Sequence, residues 1–150
     1  MRVVLQRVDK ASVEIDNKIF SKINQGILIL VGIENEDHEE DINWLCKKIV
    51  QLRIFNDESG IMNKSVQDIN GEILTISQFT LHAKTKKGNR PSYIHAAKPD
   101  ISIPIYEKFV SRLSDELGRT VKTGKFGAMM NISLVNSGPV TILIDSKKKE

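Results

Sequence analysis

Two short segments of this sequence place polar groups where a chemical site could be built. The first is Ser77-Gln78-Phe79-Thr80, which follows the apolar, strand-like stretch Ile73-Leu74-Thr75-Ile76. Serine, glutamine and threonine offer short, neutral hydrogen-bonding groups. They stand where a strand enters a loop, a position at which binding and catalytic residues are common. The simpler interpretation is a polar strand end without chemistry.

The second segment is Gly138-Pro139, which separates two apolar stretches near the end of the sequence. Proline lacks a backbone donor and therefore interrupts the hydrogen bonding of a sheet. A plain hairpin turn accounts for the dipeptide. The functional interpretation is a pair of exposed carbonyls, fixed by a cis bond, that could accept hydrogen bonds from an amine.

Other familiar sites are missing from the sequence. His38, His82 and His95 lack the spacing of metal ligands, and no cysteine is paired with a histidine. There is no phosphate-binding glycine loop, no dinucleotide fingerprint and no Gly-x-Ser-x-Gly nucleophile elbow. A triad that joins His82 or His95 to Ser77 or Thr80 finds no support in the spacing. We therefore expect neither a metal nor a cofactor.

Composition restricts the class of protein. The chain has 150 residues, of which 40% are hydrophobic and 27% are charged, as is usual for one soluble globular domain over residues 1–150. The longest apolar run, residues 27–31, is far shorter than the roughly 20 residues that cross a bilayer. Residues 1–7 do not have the pattern of a signal peptide. We therefore expect a cytoplasmic protein without membrane contact.

The charged residues are distributed unevenly. The formal net charge is +3, but residues 73–99 contain five basic residues and no acidic one. Residues 117–144 contain three basic residues and again no acidic one. Such segments indicate an anionic ligand, with phosphate or nucleic acid as the obvious candidates. A solvated, lysine-rich surface explains the same pattern.

The strands that would position these segments follow from hydrophobic periodicity and turn residues. A hairpin turn is predicted at Asp16-Asn17, and the unbroken apolar run that follows it is typical of a central strand buried on both faces. The predicted strands cover residues 2–8, 11–15, 18–23, 27–31, 72–81, 129–135 and 140–144. Residues 55–66 and 82–98 are predicted loops.

Two main helices are predicted. The first starts at Asp37-His38-Glu39-Glu40, which has acidic residues in its first turn, and ends near residue 53. Cys46 lies on its apolar stripe and is expected to be a buried packing residue. The second starts at the cap Ser102, with Pro104 in its first turn, and stops at Gly118.

With their neighbours, the two polar segments resemble the D-aminoacyl-tRNA deacylase family of bacteria and eukaryotes. The resemblance rests on Ser77-Gln78-Phe79-Thr80-Leu81 and on Asn136-Ser137-Gly138-Pro139-Val140-Thr141. It extends along the whole chain through residues 1–8, 30–33, 87–92 and 124–130. Ser137 stands where aspartate is common in the family.

The resemblance implies a homodimer that hydrolyses the ester between a D-amino acid and the terminal adenosine of tRNA, and that also removes glycine mischarged on tRNA. It implies that a cis Gly138-Pro139 reaches into the partner subunit's pocket, where its carbonyl oxygens bind the α-amino group of the substrate. An L side chain would clash with the pocket wall. Selection therefore rejects the L enantiomer and does not depend on recognising a particular side chain. The implied fold is a strand-rich α/β single domain, with antiparallel or mixed sheets forming a barrel-like core and with two main helices.

The resemblance also assigns roles to residues of this sequence. Catalysis falls to Ser77-Gln78-Phe79-Thr80, and Arg7 holds the Gly-Pro dipeptide through hydrogen bonds. Phe126 and Met130 line the adenosine or aminoacyl pocket, with core packing as the alternative. The basic residues that would meet phosphates of the acceptor stem are Lys84, Lys86, Lys87 and Arg90.

Two mechanisms are open for the catalytic segment. Thr80 could be a nucleophile, although no general base neighbours it in the sequence. We favour attack by water, assisted by the 2′-hydroxyl of the terminal ribose, with backbone N–H groups around Phe79 and Thr80 stabilising the oxyanion.

Two other functions fit the same residues: a non-catalytic tRNA- or RNA-binding module, and a threonine-nucleophile acyl hydrolase acting on small substrates. The expected partners are tRNA and a second copy of the chain. DNA is not an expected partner.

Overall fold

The first and last strands are the longest elements of the sheet. The computed structural model describes all 150 residues, and it has one strand, β1, over Arg2–Ile15 and another, β8, over Asn131–Asp145. The sequence predicted two strands in each place, and both predictions were wrong. The exposed residues 9 and 10 and the Gly-Pro dipeptide interrupt the apolar pattern, but the backbone pairing of β1 with β8 continues at Lys10 on one strand and at Thr141 on the other.

The other elements lie between these two strands. The bounds in chain order are β2 Lys18–Ile23, β3 Gly26–Gly32, α1 Glu39–Gln51, β4 Phe55–Asn56, β5 Met62–Lys64, β6 Glu72–Ser77, a 3₁₀ turn Phe79–His82, α2 Pro99–Leu117 and β7 Lys122–Thr123. The predicted hairpin turn at Asp16-Asn17 is confirmed, and both of its residues have positive φ. The predicted loop over residues 55–66 contains the small β4–β5 hairpin.

The main sheet is mixed and curls toward closure. Its order is β2-β1-β3-β6-β7, with β8 on the remaining side of β1. The β3–β6 and β6–β7 pairs are parallel, and the other pairs are antiparallel. Ser21 Oγ donates a hydrogen bond to the Thr123 carbonyl at 2.7 Å and so joins β2 to β7, the two ends of this order. The barrel-like, strand-rich prediction is confirmed.

Alternation along β3 separates two cores. Ile27, Ile29 and Val31 face the helices and belong to the larger core, which α1 and α2 cover. Leu28 faces the other way, into the smaller core inside the curled sheet. Because β3 lies between β1 and β6 and is buried on both faces, the prediction of a central strand is confirmed.

Helix α1 begins one residue later than the first-turn acids suggested. Its N-cap is His38, whose backbone N–H donates to Asp41 Oδ2 at 3.0 Å. Asp37 instead accepts a hydrogen bond from the Glu34 N–H. Cys46 is fully buried against α2, and burial raises the pKa of its thiol to about 12. The packing role predicted for Cys46 is confirmed.

Helix α2 begins earlier than predicted. Pro99 occupies its first position, and Lys98 is the cap. Ser102 is therefore not the cap; it is buried within the first turn, where its hydroxyl donates to the Lys98 carbonyl at 3.0 Å. Pro104 lies inside the helix, and Gly118 ends it in the left-handed conformation, as predicted. Neither helix combines the length and hydropathy of a segment that crosses a membrane.

Candidate functional site

The candidate site lies where two parallel strands end side by side. Val31 of β3 pairs with Ser77 of β6, and the Gln78 N–H donates to the Val31 carbonyl at 2.7 Å. The chain then leaves the sheet in the 3₁₀ turn Phe79–His82. The strand predicted to run to residue 81 therefore ends four residues earlier, because these residues bond within the turn rather than to a neighbouring strand.

A cavity of about 380 Å³ opens at these strand ends. Its lining includes Ser77, Gln78 and Phe79 from the strand end and the turn, together with Phe126 and Met130. Ten of the fourteen lining residues are hydrophobic, so the cavity is a largely apolar pocket with a few polar groups. The structure thus brings together five of the residues that the sequence singled out.

Thr80 stands slightly apart from this group. It is not among the residues that line the cavity. Its hydroxyl accepts a hydrogen bond from Gln78 Nε2 at 2.6 Å, which links it to a side chain that does line the cavity. Thr80 is half-buried in the turn.

Phe126 packs against the buried side chain of Tyr106. The Phe126 and Tyr106 rings meet edge to face with centroids 5.7 Å apart. The Tyr106 hydroxyl donates to the Thr75 carbonyl of β6 at 2.8 Å, and burial raises the pKa of Tyr106. This wall of the cavity is therefore built on β6 and α2, the rigid elements of the larger core.

His82 is the last residue of the 3₁₀ turn, and no signal in the sequence indicated its buried position. It is buried, with its ring packed on Gly32: a Cβ at Gly32 would lie 2.9 Å from the ring. Its Nδ1 lies 3.1 Å from Glu34 Oε1, but not with the geometry of a hydrogen bond. Gly32 thus allows the turn to approach the end of β3.

The Gly138-Pro139 dipeptide forms a bulge in β8, and its peptide bond is cis, as predicted. Residues 137–140 lie opposite Arg7 alone, because Gln6 pairs with Thr141 and Val8 pairs with Asn136. Both residues of the dipeptide are exposed. The bulge thus presents backbone away from the sheet.

Arg7 fixes the base of this bulge. Its Nε donates to the Ser137 carbonyl at 2.9 Å, and its Nη1 donates to the Ile54 carbonyl at 2.6 Å. A Cβ at Gly138, where φ is 127°, would lie 2.5 Å from Arg7 Nη2, so the close approach favours glycine. The guanidinium fork therefore ties the bulge to the segment that follows α1.

The dipeptide lies away from the cavity of its own chain. Arg7 pairs with Ile27 of β3, whereas Ser77 pairs with Val31. Four residues of strand separate these positions, a distance of about 13 Å along β3. One chain therefore carries the exposed dipeptide at one end of β3 and the cavity at the other.

The four basic residues selected from the sequence lie together in a loop beside the site. Residues 84 and 92 pair through two backbone hydrogen bonds of 2.8 and 3.0 Å, and we call residues 84–92 the basic loop. All four basic side chains are exposed, and none forms an ion pair: Lys84, Lys86, Lys87 and Arg90.

One aromatic residue near the site was missed. Tyr93, directly after the basic loop, meets Phe79 edge to face with ring centroids 5.0 Å apart. Its signal in the sequence was an aromatic residue inside a basic, acid-free segment, which is typical of nucleic-acid contacts.

Fold and site together define an α/β protein with a barrel-like sheet, an apolar cavity and a basic loop beside it. The family model for D-Tyr-tRNA(Tyr) deacylase matches residues 4–145. The chain therefore belongs to the D-Tyr-tRNA(Tyr) deacylase family, and the resemblance inferred from its motifs is confirmed.

Individual relatives agree with this assignment. A protein of Flavobacterium psychrophilum named D-aminoacyl-tRNA deacylase is 65% identical over 150 residues, which is 100% of both chains. A solved structure described as a c-Myc DNA unwinding element binding protein is 41% identical, covers 97% of this chain and 98% of that chain, and has a TM-score of 0.89. A structure described as a probable eukaryotic D-amino acid tRNA deacylase has the same fold at 17% identity, with a TM-score of 0.81 and coverage of 95% and 97%.

Proposed function

We propose that this protein is a hydrolase of the ester bond of D-aminoacyl-tRNA, releasing free D-amino acid and tRNA, and that it also deacylates mischarged glycyl-tRNA. The observation that carries the proposal is the full-length match, at 65% identity, to a protein named D-aminoacyl-tRNA deacylase. The cavity beside Ser77-Gln78-Phe79 supplies a site for the aminoacyl group. We infer that residues 1–150 form one domain and that the protein acts on tRNA in the cytoplasm.

Catalysis by positioned water fits this site best. An aminoacyl ester is already activated, so its orientation in the cavity supplies much of the acceleration. The first N–H groups of the 3₁₀ turn, those of Phe79 and Thr80, have no partner within the turn and are available to an oxyanion. Water attacks the carbonyl carbon, and the 2′-hydroxyl of the terminal ribose assists the proton transfer.

Selection against L-aminoacyl groups requires a second copy of the chain. In a homodimer, Gly138-Pro139 of one protomer enters the cavity of its partner, and its carbonyl oxygens accept hydrogen bonds from the substrate ammonium. Two observations support this arrangement. The dipeptide is exposed but lies at the far end of β3 from its own cavity. The outer edge of β8, which carries it, pairs with no strand.

The basic loop supplies the contacts to tRNA phosphates. Its four basic side chains are exposed and free of carboxylate partners, so binding of a polyanion breaks no internal ion pair. Such contacts orient the substrate without reading its sequence. They suit an enzyme that acts on many different tRNAs.

A nucleic-acid-binding role without catalysis is the second candidate. The exposed basic loop favours it, and one structural relative is described as binding a DNA unwinding element. The aromatic content of 5% is low for a module that binds nucleic acid by stacking over a whole sheet.

The two candidates differ in what happens to the ester. Purified protein at catalytic concentration should release many equivalents of free D-tyrosine from D-tyrosyl-tRNA, leaving intact uncharged tRNA. A control without protein gives the spontaneous rate. Retention of the tRNA with the ester intact would contradict the proposed function and support the binding module.

A further inference from the structure

We propose that Phe79 and Tyr93 form a stacking platform for the unpaired nucleotides that precede the terminal adenosine of tRNA. This inference rests on the proposed function and adds to it a surface that positions the substrate. It concerns nucleotides outside the cavity rather than the adenosine inside it.

The two rings are unusually exposed for a packed aromatic pair. Phe79 is 55% exposed and Tyr93 is 39% exposed, although their centroids are only 5.0 Å apart and the rings meet at 79°. Aromatic side chains normally bury most of their surface. The edge-to-face contact fixes the two rings relative to each other, and the exposed part of these side chains offers aromatic surface on which a nucleobase could stack.

The pair lies between the cavity and the basic loop. Phe79 lines the cavity. Tyr93 directly follows Ser92, which is bonded to Lys84 at the base of the basic loop, and the Tyr93 carbonyl accepts a hydrogen bond from the Ala96 N–H at 3.0 Å. A strand with its terminal adenosine in the cavity and its phosphates at the loop therefore passes over these rings.

The charge of the segment that carries both rings favours RNA over an apolar protein partner. No acidic residue occurs between positions 73 and 99, and the basic side chains of the loop are free of ion pairs. A single-stranded nucleic acid offers both the phosphates and the base faces that such a surface binds. Ile94, 74% exposed, extends the apolar edge next to Tyr93.

Binding of uncharged RNA tests the platform separately from catalysis. The probe is a short single-stranded RNA ending in cytidine-cytidine-adenosine, as in the 3′ end of tRNA. Tyr93→Leu should weaken its affinity about tenfold, and Tyr93→Trp should restore it, because stacking needs an aromatic face. Phe20→Leu on β2 removes another exposed aromatic residue, outside the site, and should leave the affinity unchanged.

A kinetic comparison adds a second readout. For Tyr93→Leu, the KM for D-aminoacyl-tRNA should rise at least fivefold more than the KM for a D-aminoacyl ester of adenosine alone, which lacks the preceding nucleotides. Equal changes for the two substrates, or unchanged RNA affinity, would overturn the platform. So would a shift of Tyr93→Leu from dimer to monomer, since the rings would then be covered by a second copy.

The wild-type protein offers a check that does not depend on folding of a variant. Ultraviolet cross-linking of the RNA should label the peptide that contains Tyr93, and labelling only elsewhere would overturn the inference. If the wild type binds the RNA through Tyr93 but leaves D-aminoacyl-tRNA intact, the platform stands and the proposed function fails.

Discussion

Thr80 has no group placed to take its proton. Its hydroxyl accepts a hydrogen bond from Gln78 Nε2 and donates to no acceptor in the protein. His82, in the same turn, forms no hydrogen bond through either nitrogen. A hydroxyl without a base is a weak nucleophile, so the geometry favours attack by water.

Thr80→Ala should therefore keep hydrolysis of D-aminoacyl-tRNA within about tenfold of wild type, whereas loss of a true nucleophile costs roughly a millionfold. A substrate with a 2′-deoxy terminal ribose should instead react about a hundredfold more slowly. Single-turnover rates measure both effects, and Thr120→Ala at an exposed position is the matched control. Complete loss of activity in Thr80→Ala, with the 2′-deoxy substrate unaffected, would support the threonine-nucleophile mechanism.

Arg7 supports the β8 bulge together with Asn136, whose Oδ1 accepts a hydrogen bond from the Val140 N–H at 3.0 Å. Arg7→Lys keeps the charge, but one ammonium group cannot reach the Ser137 and Ile54 carbonyls together. The variant therefore loses at least one hydrogen bond to a charged group, which contributes about 1.5–3 kcal/mol. We expect kcat/KM for D-aminoacyl-tRNA to fall at least about tenfold. Arg53→Lys is the control, since Arg53 also donates to a backbone carbonyl, that of Asn63 in β5, rather than to a carbonyl of the bulge. Similar kinetics for both variants would refute the role of Arg7.

At the scale of elements, a buried polar cluster joins the start of α1 to the end of β8. Ser146 Oγ donates to Asp41 Oδ1 at 2.6 Å, and Lys147 Nζ donates to Asp41 Oδ2 at 2.7 Å. Burial opposes ionisation of Asp41, but the hydrogen bonds from Lys147, Ser146 and the His38 N–H outweigh it and lower its pKa to about 2. The ionised carboxylate thus ties β8, which carries the bulge, to the helical layer.

Asp41→Asn should lower the free energy of unfolding by roughly 3 kcal/mol at pH 7. Because the pKa of Asp41 lies below its ordinary value of 3.8 in the folded protein, its contribution is present above about pH 4 and is lost as the pH falls toward 2. Urea unfolding across this range should show the loss in wild type and a flatter profile in Asp41→Asn. Asp115→Asn, at an exposed position on α2, should behave like wild type; a wild-type profile in Asp41→Asn would contradict the assignment.

Patterns of neighbouring residues correctly predicted a strand, a turn and a helix end. The unbroken apolar run of β3, the positive-φ turn at Asp16-Asn17 and the stop at Gly118 were all correct. Ser77-Gln78-Phe79-Thr80 and Gly138-Pro139 were recognised from residue types and order. The cavity then assembles around the first of these segments.

The errors arose where pairing between distant residues overrides the local pattern. Exposed Asp9-Lys10 and Gly138-Pro139 resemble strand ends, but β1 and β8 support each other across both interruptions. The contact of Tyr93 with Phe79 joins a loop to a turn, so no periodicity could predict it. Ser102 resembled a cap, but Pro99 three residues earlier can start the helix because the first N–H of a helix needs no partner.

At the scale of the whole molecule, charge is concentrated where the substrate would lie. Lys84→Glu combined with Lys87→Glu should weaken tRNA binding. The double variant should also reduce the magnitude of the slope of log affinity against log salt by about two, because two fewer phosphate contacts displace counterions from the tRNA on binding. Lys47→Glu combined with Lys108→Glu makes the same change in net charge at exposed helix positions. Filter binding at salt concentrations between about 50 and 200 mM compares the two double variants. Equal effects of both pairs would remove the basic loop from the tRNA interface.

Under the proposed mechanism, the separation of cavity and dipeptide along β3 would make selection between D- and L-aminoacyl groups depend on two chains together. One chain would hold the aminoacyl group in its cavity, and Gly138-Pro139 of a second chain would complete the site. Because main-chain carbonyls do not distinguish side chains, many D-amino acids should be accepted, and glycine cannot be excluded.

The most direct test of this account is a matched pair of substrates: one tRNA charged with either D-tyrosine or L-tyrosine. With equal protein, we expect rapid loss of the D ester while the L ester decays at the spontaneous rate. Equal loss of both esters would mean a general esterase and would contradict selection by Gly138-Pro139. Loss of neither would contradict the hydrolytic function itself.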